Sequence, residues 1–321
     1  MEAEVTICIP TYQAEGFIDR TLLCARKQTH QNVKIVVSVD LCEDKTAAIC
    51  ERHAREDKRI RVIVQPARLG WSRNANAVLD CVDSDYFFIY FHDDIIEADY
   101  VEQLLGVLEA HPWAASAHCD LLDFGFQDVV RPAHSYQGST LRRLVEFMMT
   151  KRGTTLRSMV RRECVEDTLR FPSIHGDSHW TAYVFHLLLL AAGPAIGLHK
   201  TLYKRWQREG SLTRSKGWNA DSLDAVLRGQ KESTQCCLDL FDRVLSDQDE
   251  IMAARYCLRL FQMDFIRAQQ QRLKTSQSIE SVSLSPLLDP AKLYLKPGLL
   301  DEEAVAWMKA VQRRLGEVER E

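Results

Sequence analysis

Hydrophobic and polar positions follow two alternating periods along the first 110 residues. Val5 to Ile9 is a β-branched run stopped by Pro10, and Val33 to Val39 is apolar at nearly every position. Both predict strands, the second buried on both faces as in a parallel sheet. Between them Phe17, Leu22 and Leu23 recur at helical spacing over residues 14 to 27, behind the acidic Glu15. The pattern then repeats, with helices over Thr46 to Ala54, Ser72 to Val82 and about Asp99 to Glu109, and strands over Arg61 to Val64 and Tyr86 to Phe91. Strands alternating with helices predict an α/β fold, doubly wound around a mostly parallel sheet.

Beyond residue 111 the periodicity is mixed. A short strand over Ala114 to His118 and a basic amphipathic helix over Leu141 to Arg152 precede the most apolar stretch, Ala182 to Leu198. His186, Gly193 and Pro194 interrupt that stretch, and it falls short of the roughly 20 apolar residues of a membrane span, so a buried helix is expected. Past Trp218 long helical repeats run through Arg272, followed by a Ser-rich and Pro-punctuated connector and a final helix from Asp301. The expected organisation is an α/β domain over 1–217 and a helical C-terminal region over 218–321.

Composition narrows the function classes. A net charge of -4 over 321 residues leaves no electrostatic footprint for nucleic acid. Ten cysteines lie scattered in apolar segments with no C-x-x-C spacing, which reads as buried thiols in a reducing compartment. The acidic start MEAEVTICIP reads as a first strand, not a leader, so a cytoplasmic protein is expected.

In a doubly wound sheet, ligands bind at the carboxyl ends of the strands. Thr11, Asp40, Asp93 and Asp94 each stand just past the end of a different expected strand or beside one another there, so they should converge. The adjacent acids of the FHDD segment, Phe91 to Asp94, suit a hard divalent cation, although such pairs also cap helices. Asp40 opens the segment DLCEDKT, where a carboxylate could accept N–H groups of a nucleobase; Asp44 is the better cap for the helix from Thr46. In ARLGWSRNANAVL, Gly70 permits a tight turn, Arg73 could meet phosphate oxygens and Asn76 offers an amide at a helix start.

The run VTICIPTYQAEGFIDRTLLCARKQTHQNVKIVVSVD, the turn LGWSRNAN and the segment YFHDDIIEADYVEQL, in that order, resemble the nucleotide-sugar domain of family 2 GT-A glycosyltransferases. The resemblance is strong over 1–110 and fainter to about residue 215. It implies a GT-A fold, with 1–110 binding the nucleotide sugar and 111–217 on the acceptor side. It also implies site roles. Pro10, Thr11, Tyr12 and Glu15 would border base and ribose, Asp40 would contact the base, and Asp93 would serve ribose or phosphate. Asp94 would hold Mn²⁺ or Mg²⁺. Arg205, in LYKRWQREGSLTRS, would meet the leaving diphosphate as part of a flexible loop, with Lys204, Arg208 and Arg214 as a solvated face. Asp177, in HGDSHW between His175 and His179, would be the general base, with helix capping as its other reading.

The sequence departs from the family at four positions: Phe91 replaces the first acid of the metal motif, His92 follows it, Ala75 stands where an Arg is common, and Gln207 where a His is common. The implied activity is inverting transfer from a UDP-sugar, or a GDP- or dTDP-sugar, to a hydroxyl of a glycan, lipid-linked or small-molecule acceptor in polysaccharide or glycan biosynthesis. The protein would work in the cytoplasm or peripherally at the inner face of a membrane. Two other readings stay open: a non-catalytic nucleotide-binding protein on the same fold, and a sugar nucleotidyltransferase, whose usual Gly-rich basic loop is missing from PTYQAEG.

Overall fold

The computed structural model describes residues 2–150, 153–165, 168–174, 179–208 and 223–274. The chain divides into two compact units, 1–138 with 152–236, and 139–151 with 237–321.

The first unit contains β1 (Val5–Thr11), α1 (Ile18–Arg26), β2 (Val33–Val39), α2 (Thr46–Glu56), β3 (Ile60–Val64), α3 (Trp71–Leu79), β4 (Tyr86–Ile89), β5 (Ile95–Ile96), α4 (Tyr100–Ala110), β6 (Ser116–Phe124) and β7 (Val129–Arg131). After a 3₁₀ turn, Gly153–Arg157, come β8 (Met159–Arg161), α6 (Arg162–Val165), α7 (His179–Ala192) and β9 (Ala195–Trp206). The strands order as β3-β2-β1-β4-β8-β6-β9-β5, with β7 against β6. The pairs β3/β2, β2/β1, β1/β4 and β6/β9 are parallel.

Every residue of β1 is buried, including Thr6, whose hydroxyl is bonded to that of Ser84 at 2.7 Å. Alternation divides the core between the two faces of the sheet. Val5, Ile7 and Ile9 join Leu22 and Leu104 on one face, while Cys8 and Val36 join Val78 and Leu189 on the other.

Three boundaries differ from the sequence reading. β1 continues through Pro10 to Thr11, because its β4 partner ends opposite Cys8, so beyond that point one edge of β1 needs no ladder donor. The stretch Ala182 to Leu198 is not one helix: α7 ends at Ala192 and β9 begins at Ala195. Gly193 makes that corner, since a Cβ there would lie 2.6 Å from Ala115 Cβ. Consequently Leu202 to Trp206, expected as the start of a flexible loop, is strand, with Tyr203 to Trp206 paired in register with β6.

The second unit contains α5 (Thr140–Thr150), the C-terminal part of α8 (Leu223–Val244) and α9 (Gln248–Lys274). Leu141, Leu144, Val145, Phe147 and Met148 of α5 are buried, and so is Arg143, which reduces the basic face of this helix. Arg255 and Asp242 join α9 to α8 at 2.8 Å. No described helix is long and apolar enough to cross a membrane.

Candidate functional site

Two clusters meet at the carboxyl ends of β1, β2 and β4. The first centres on Asp40, fully buried just after β2. Its Oδ1 accepts the Leu69 and Leu41 amides at 2.7 and 3.1 Å, and its Oδ2 accepts the Gly70 amide at 3.0 Å. Gly70 reaches this position at φ 84°, a left-handed conformation that a side chain would resist, and it directly precedes α3. Arg68 completes the cluster: its guanidinium ion-pairs with Asp40 Oδ2 and sits 3.4 Å from the centroid of the Tyr12 ring. The loop carrying Tyr12 bends at Gln13, whose φ of 45° places a non-glycine residue in the left-handed region.

Asn74 fastens this corner. Its Nδ2 donates to the carbonyls of Thr11 and Ser38 at 3.2 and 3.1 Å, and its Oδ1 accepts from Ser38 Oγ at 2.6 Å. Thr11 Oγ1, in contrast, is buried with no hydrogen-bond partner. A buried hydroxyl without a partner is costly, and this one lies at a carboxyl strand end, where sheets of this class bind ligands.

The second cluster is the FHDD turn after β4, closed by the Asp94 amide donating to Phe91 O at 3.1 Å. The two acids diverge. Asp94 is 1% exposed. Its Oδ1 accepts the Trp206 amide at 3.2 Å, and its Oδ2 accepts Arg157 Nε and a terminal nitrogen at 3.3 and 3.2 Å. Burial pushes its carboxyl up to about 6, against the opposing pull of Arg157. Asp93 keeps its side chain 17% exposed, with Arg208 Nε 3.3 Å from its Oδ2. Arg208 lies 4.4 Å from the Phe17 ring centroid, and Arg20 donates to the Asp93 carbonyl at 2.9 Å. His92 joins the turn to β1 by donating from Nδ1 to Pro10 O at 3.0 Å, and its ring stacks on Phe17.

Several residues with expected site roles make contacts within the protein. Asp94, expected to hold the metal, accepts protein donors on both its oxygens. Asn76 does not reach the crevice: its Nδ2 and Oδ1 bind the carbonyl and amide of Phe171, each at 2.9 Å. Arg73 is exposed and turns its Nε back to Leu69 O at 2.8 Å. Arg205 is held by Asp123 through two bonds of 2.6 and 2.7 Å, and Arg131 binds the same acid. Burial opposes the charge on Asp123, but these two arginines outweigh it and hold the carboxyl below its usual range. Gln207 lies against Arg205; with its amide oxygen facing the guanidinium it accepts from Nε at 3.0 Å.

Other residues stand near their expected places. Glu15 is at the mouth of the Asp40 segment, where its Oε2 accepts the Lys45 amide at 3.0 Å. Asp44 caps α2 by accepting the Thr46 amide at 3.2 Å. Asp177, His175 and Arg214 lie outside the described residues, as does the side chain of His179. Arg68, Asn74 and Arg157 complete the two clusters, and the sequence reading named none of them.

Among the described residues no three His, Cys, Asp or Glu side chains gather as a metal cage. Asp93 alone of the two acids faces outward. One carboxylate suits an ion such as Mg²⁺, which commonly completes its shell with substrate phosphates and water.

Three comparisons bear on this geometry. A Haemophilus influenzae protein described as an uncharacterized glycosyltransferase is 31% identical over 105 residues, spanning 33% of this chain and 32% of that protein. The structure of S. aureus TarS residues 1-349 in complex with UDP-GlcNAc superposes with a TM-score of 0.67 at 16% identity, covering 88% of this chain and 77% of that one. The mannosyltransferase PcManGT of Pyrobaculum calidifontis, in complex with GDP-Man and Mn2+, has a TM-score of 0.51 at 15% identity and covers 97% of this chain and 85% of its own. At such identities the two structures establish the GT-A fold. The description of glycosyl transferase family 2 matches residues 6–167, about half of the chain and the half that carries Thr11, Asp40, Asp93 and Asp94, so the chain belongs to that family.

Proposed function

We propose that the chain transfers a sugar from a nucleoside-diphosphate sugar, UDP being the favoured nucleotide, to an acceptor hydroxyl with inversion at the anomeric carbon. The observation that carries this reading is the convergence of unlike groups at neighbouring strand ends: the buried acceptor Asp40, the unpartnered hydroxyl of Thr11, and Asp93 beside Arg208. A nucleotide sugar offers matching chemistry along its length, with base N–H groups, ribose hydroxyls and an anionic diphosphate. Family membership and structural neighbours bound to UDP-GlcNAc and GDP-Man support the same reading.

Asp93 would hold a Mg²⁺ or Mn²⁺ together with the donor's phosphates, and the bound ion would supply positive charge next to the departing diphosphate. Arg208, 3.3 Å from Asp93, would stand beside the departing diphosphate as its cation. Asp177 is the general base, supported by its position just before α7. It takes the proton of the acceptor hydroxyl while that oxygen attacks the anomeric carbon from the face opposite the diphosphate. The bond from that carbon to the phosphate oxygen breaks, and its electron pair leaves on the nucleoside diphosphate.

Assay of Asp177→Asn tests the mechanism. It should lose transfer by at least about 100-fold while binding UDP as the wild type does. Wild-type turnover in this variant would contradict the assignment, and pyrophosphate release by the wild type would favour nucleotidyl transfer.

A further inference from the structure

Four donors converge on Asp40, and one of them can be removed. The amides of Leu41, Leu69 and Gly70 belong to the backbone that frames the acid. The fourth donor, Arg68, is a side chain 44% exposed that seals a carboxylate otherwise buried. Its guanidinium also sits over Tyr12, 3.4 Å from the ring centroid. A planar group that donates an N–H to Asp40 and stacks on Tyr12 does what a bound nucleobase would do in this pocket.

We infer that Arg68 is a specificity-determining residue that occupies the base subsite as an internal stand-in and yields it to a base carrying a ring N–H, such as uracil, thymine or guanine. This rests on the nucleotide-sugar reading above. An ionised carboxylate only accepts hydrogen bonds, so the incoming ring must replace the donor that Arg68 withdraws. Uracil and thymine do so with N3–H and guanine with N1–H. Cytosine N3 and adenine N1 would turn a lone pair toward the carboxylate. Because Arg68 competes for the same oxygen and ring, it weakens nucleotide binding by about the strength of a partly exposed ion pair, which is roughly fivefold in affinity.

Isothermal titration of the full chain with UDP, GDP, CDP and ADP, each with Mg²⁺, tests the inference in the wild type, Arg68→Ala and Asp40→Asn. Wild type should bind UDP or GDP at least tenfold more tightly than CDP and ADP. Arg68→Ala should bind the preferred nucleotide about fivefold more tightly than wild type, and Asp40→Asn should lose the preference. Arg68 is a partly exposed loop side chain, so its variant should melt within a few degrees of wild type, which keeps the test available if Asp40→Asn fails to fold. Unchanged or weaker binding by Arg68→Ala overturns the stand-in role, and equal affinity for all four nucleotides overturns the selectivity. Either result leaves nucleotide binding standing. If none of the four binds to folded wild type, the nucleotide-sugar reading fails and the inference fails with it.

Discussion

Arg157 and Asp94, 63 positions apart in sequence, form a buried ion pair in which Arg157 places two nitrogens at 3.2 and 3.3 Å from one carboxylate oxygen. The guanidinium also lies 4.9 and 5.3 Å from the ring centroids of Phe91 and Tyr203. This pair ties the FHDD turn to the β6–β9 half of the sheet, because Asp94 also accepts the Trp206 amide. Its consequence is that neighbouring acids differ in setting: Asp94 holds the turn, while Asp93 keeps its side chain 17% exposed.

Removing one partner of a buried pair leaves an uncompensated charge, at a cost of about 3–5 kcal/mol. Arg157→Leu should therefore lower the melting temperature markedly, read by circular dichroism, whereas Arg208→Leu should leave it within a few degrees of wild type.

The Asp94 carboxyl, pushed up to about 6 by burial, should leave a signature in stability against pH. An acid whose folded-state value is raised binds extra protons on folding. Its stabilising contribution is thus complete below the ordinary range near 3.8 and is lost as pH rises through 6. The melting temperature of wild type relative to Asp94→Asn should fall between pH 5 and pH 7. A difference that stays flat or rises over that window would contradict the burial argument.

Thr11→Val is nearly isosteric and removes a hydroxyl that has no partner in the protein. It should leave stability unchanged or raise it slightly, while weakening UDP binding about fivefold, the value of one hydrogen bond of about 1 kcal/mol. Loss of stability with unchanged affinity would mean that Oγ1 serves the fold instead.

The strands and helices of the first 110 residues were legible because each carries its own period, and the strand-end rule singled out Thr11, Asp40 and the acid pair. Asn74, which fastens the Thr11 and Ser38 carbonyls, is distinguished from Asn76 only by helical phase. The buried stripe of α3 runs Asn74, Ala75, Val78 and Leu79, so counting back four residues from Val78 would have chosen Asn74. Arg205 falls in a run, Leu202 to Ser215, that resembles the family's flexible loop, and the order Leu-Tyr-Lys-Arg-Trp has no strand alternation to oppose that reading. In register it stands directly opposite Asp123, a cross-strand pair that a strand assignment would have suggested. Arg68 and Arg157 carry no local signal. What distinguishes them is contact with acids far along the chain, and no periodicity encodes that.

Donor turnover by Asp93→Asn, set against wild type, tests the central claim most directly. With Mn²⁺ or Mg²⁺ and a panel of UDP-, GDP- and dTDP-sugars, wild type should release nucleoside diphosphate from at least one donor. The variant should be slower by about 100-fold or more at an unchanged melting temperature, as expected for a side chain that acts on the departing diphosphate while lying outside the buried pair. Equal turnover by the two proteins, or no release from any donor by folded wild type, would contradict the account.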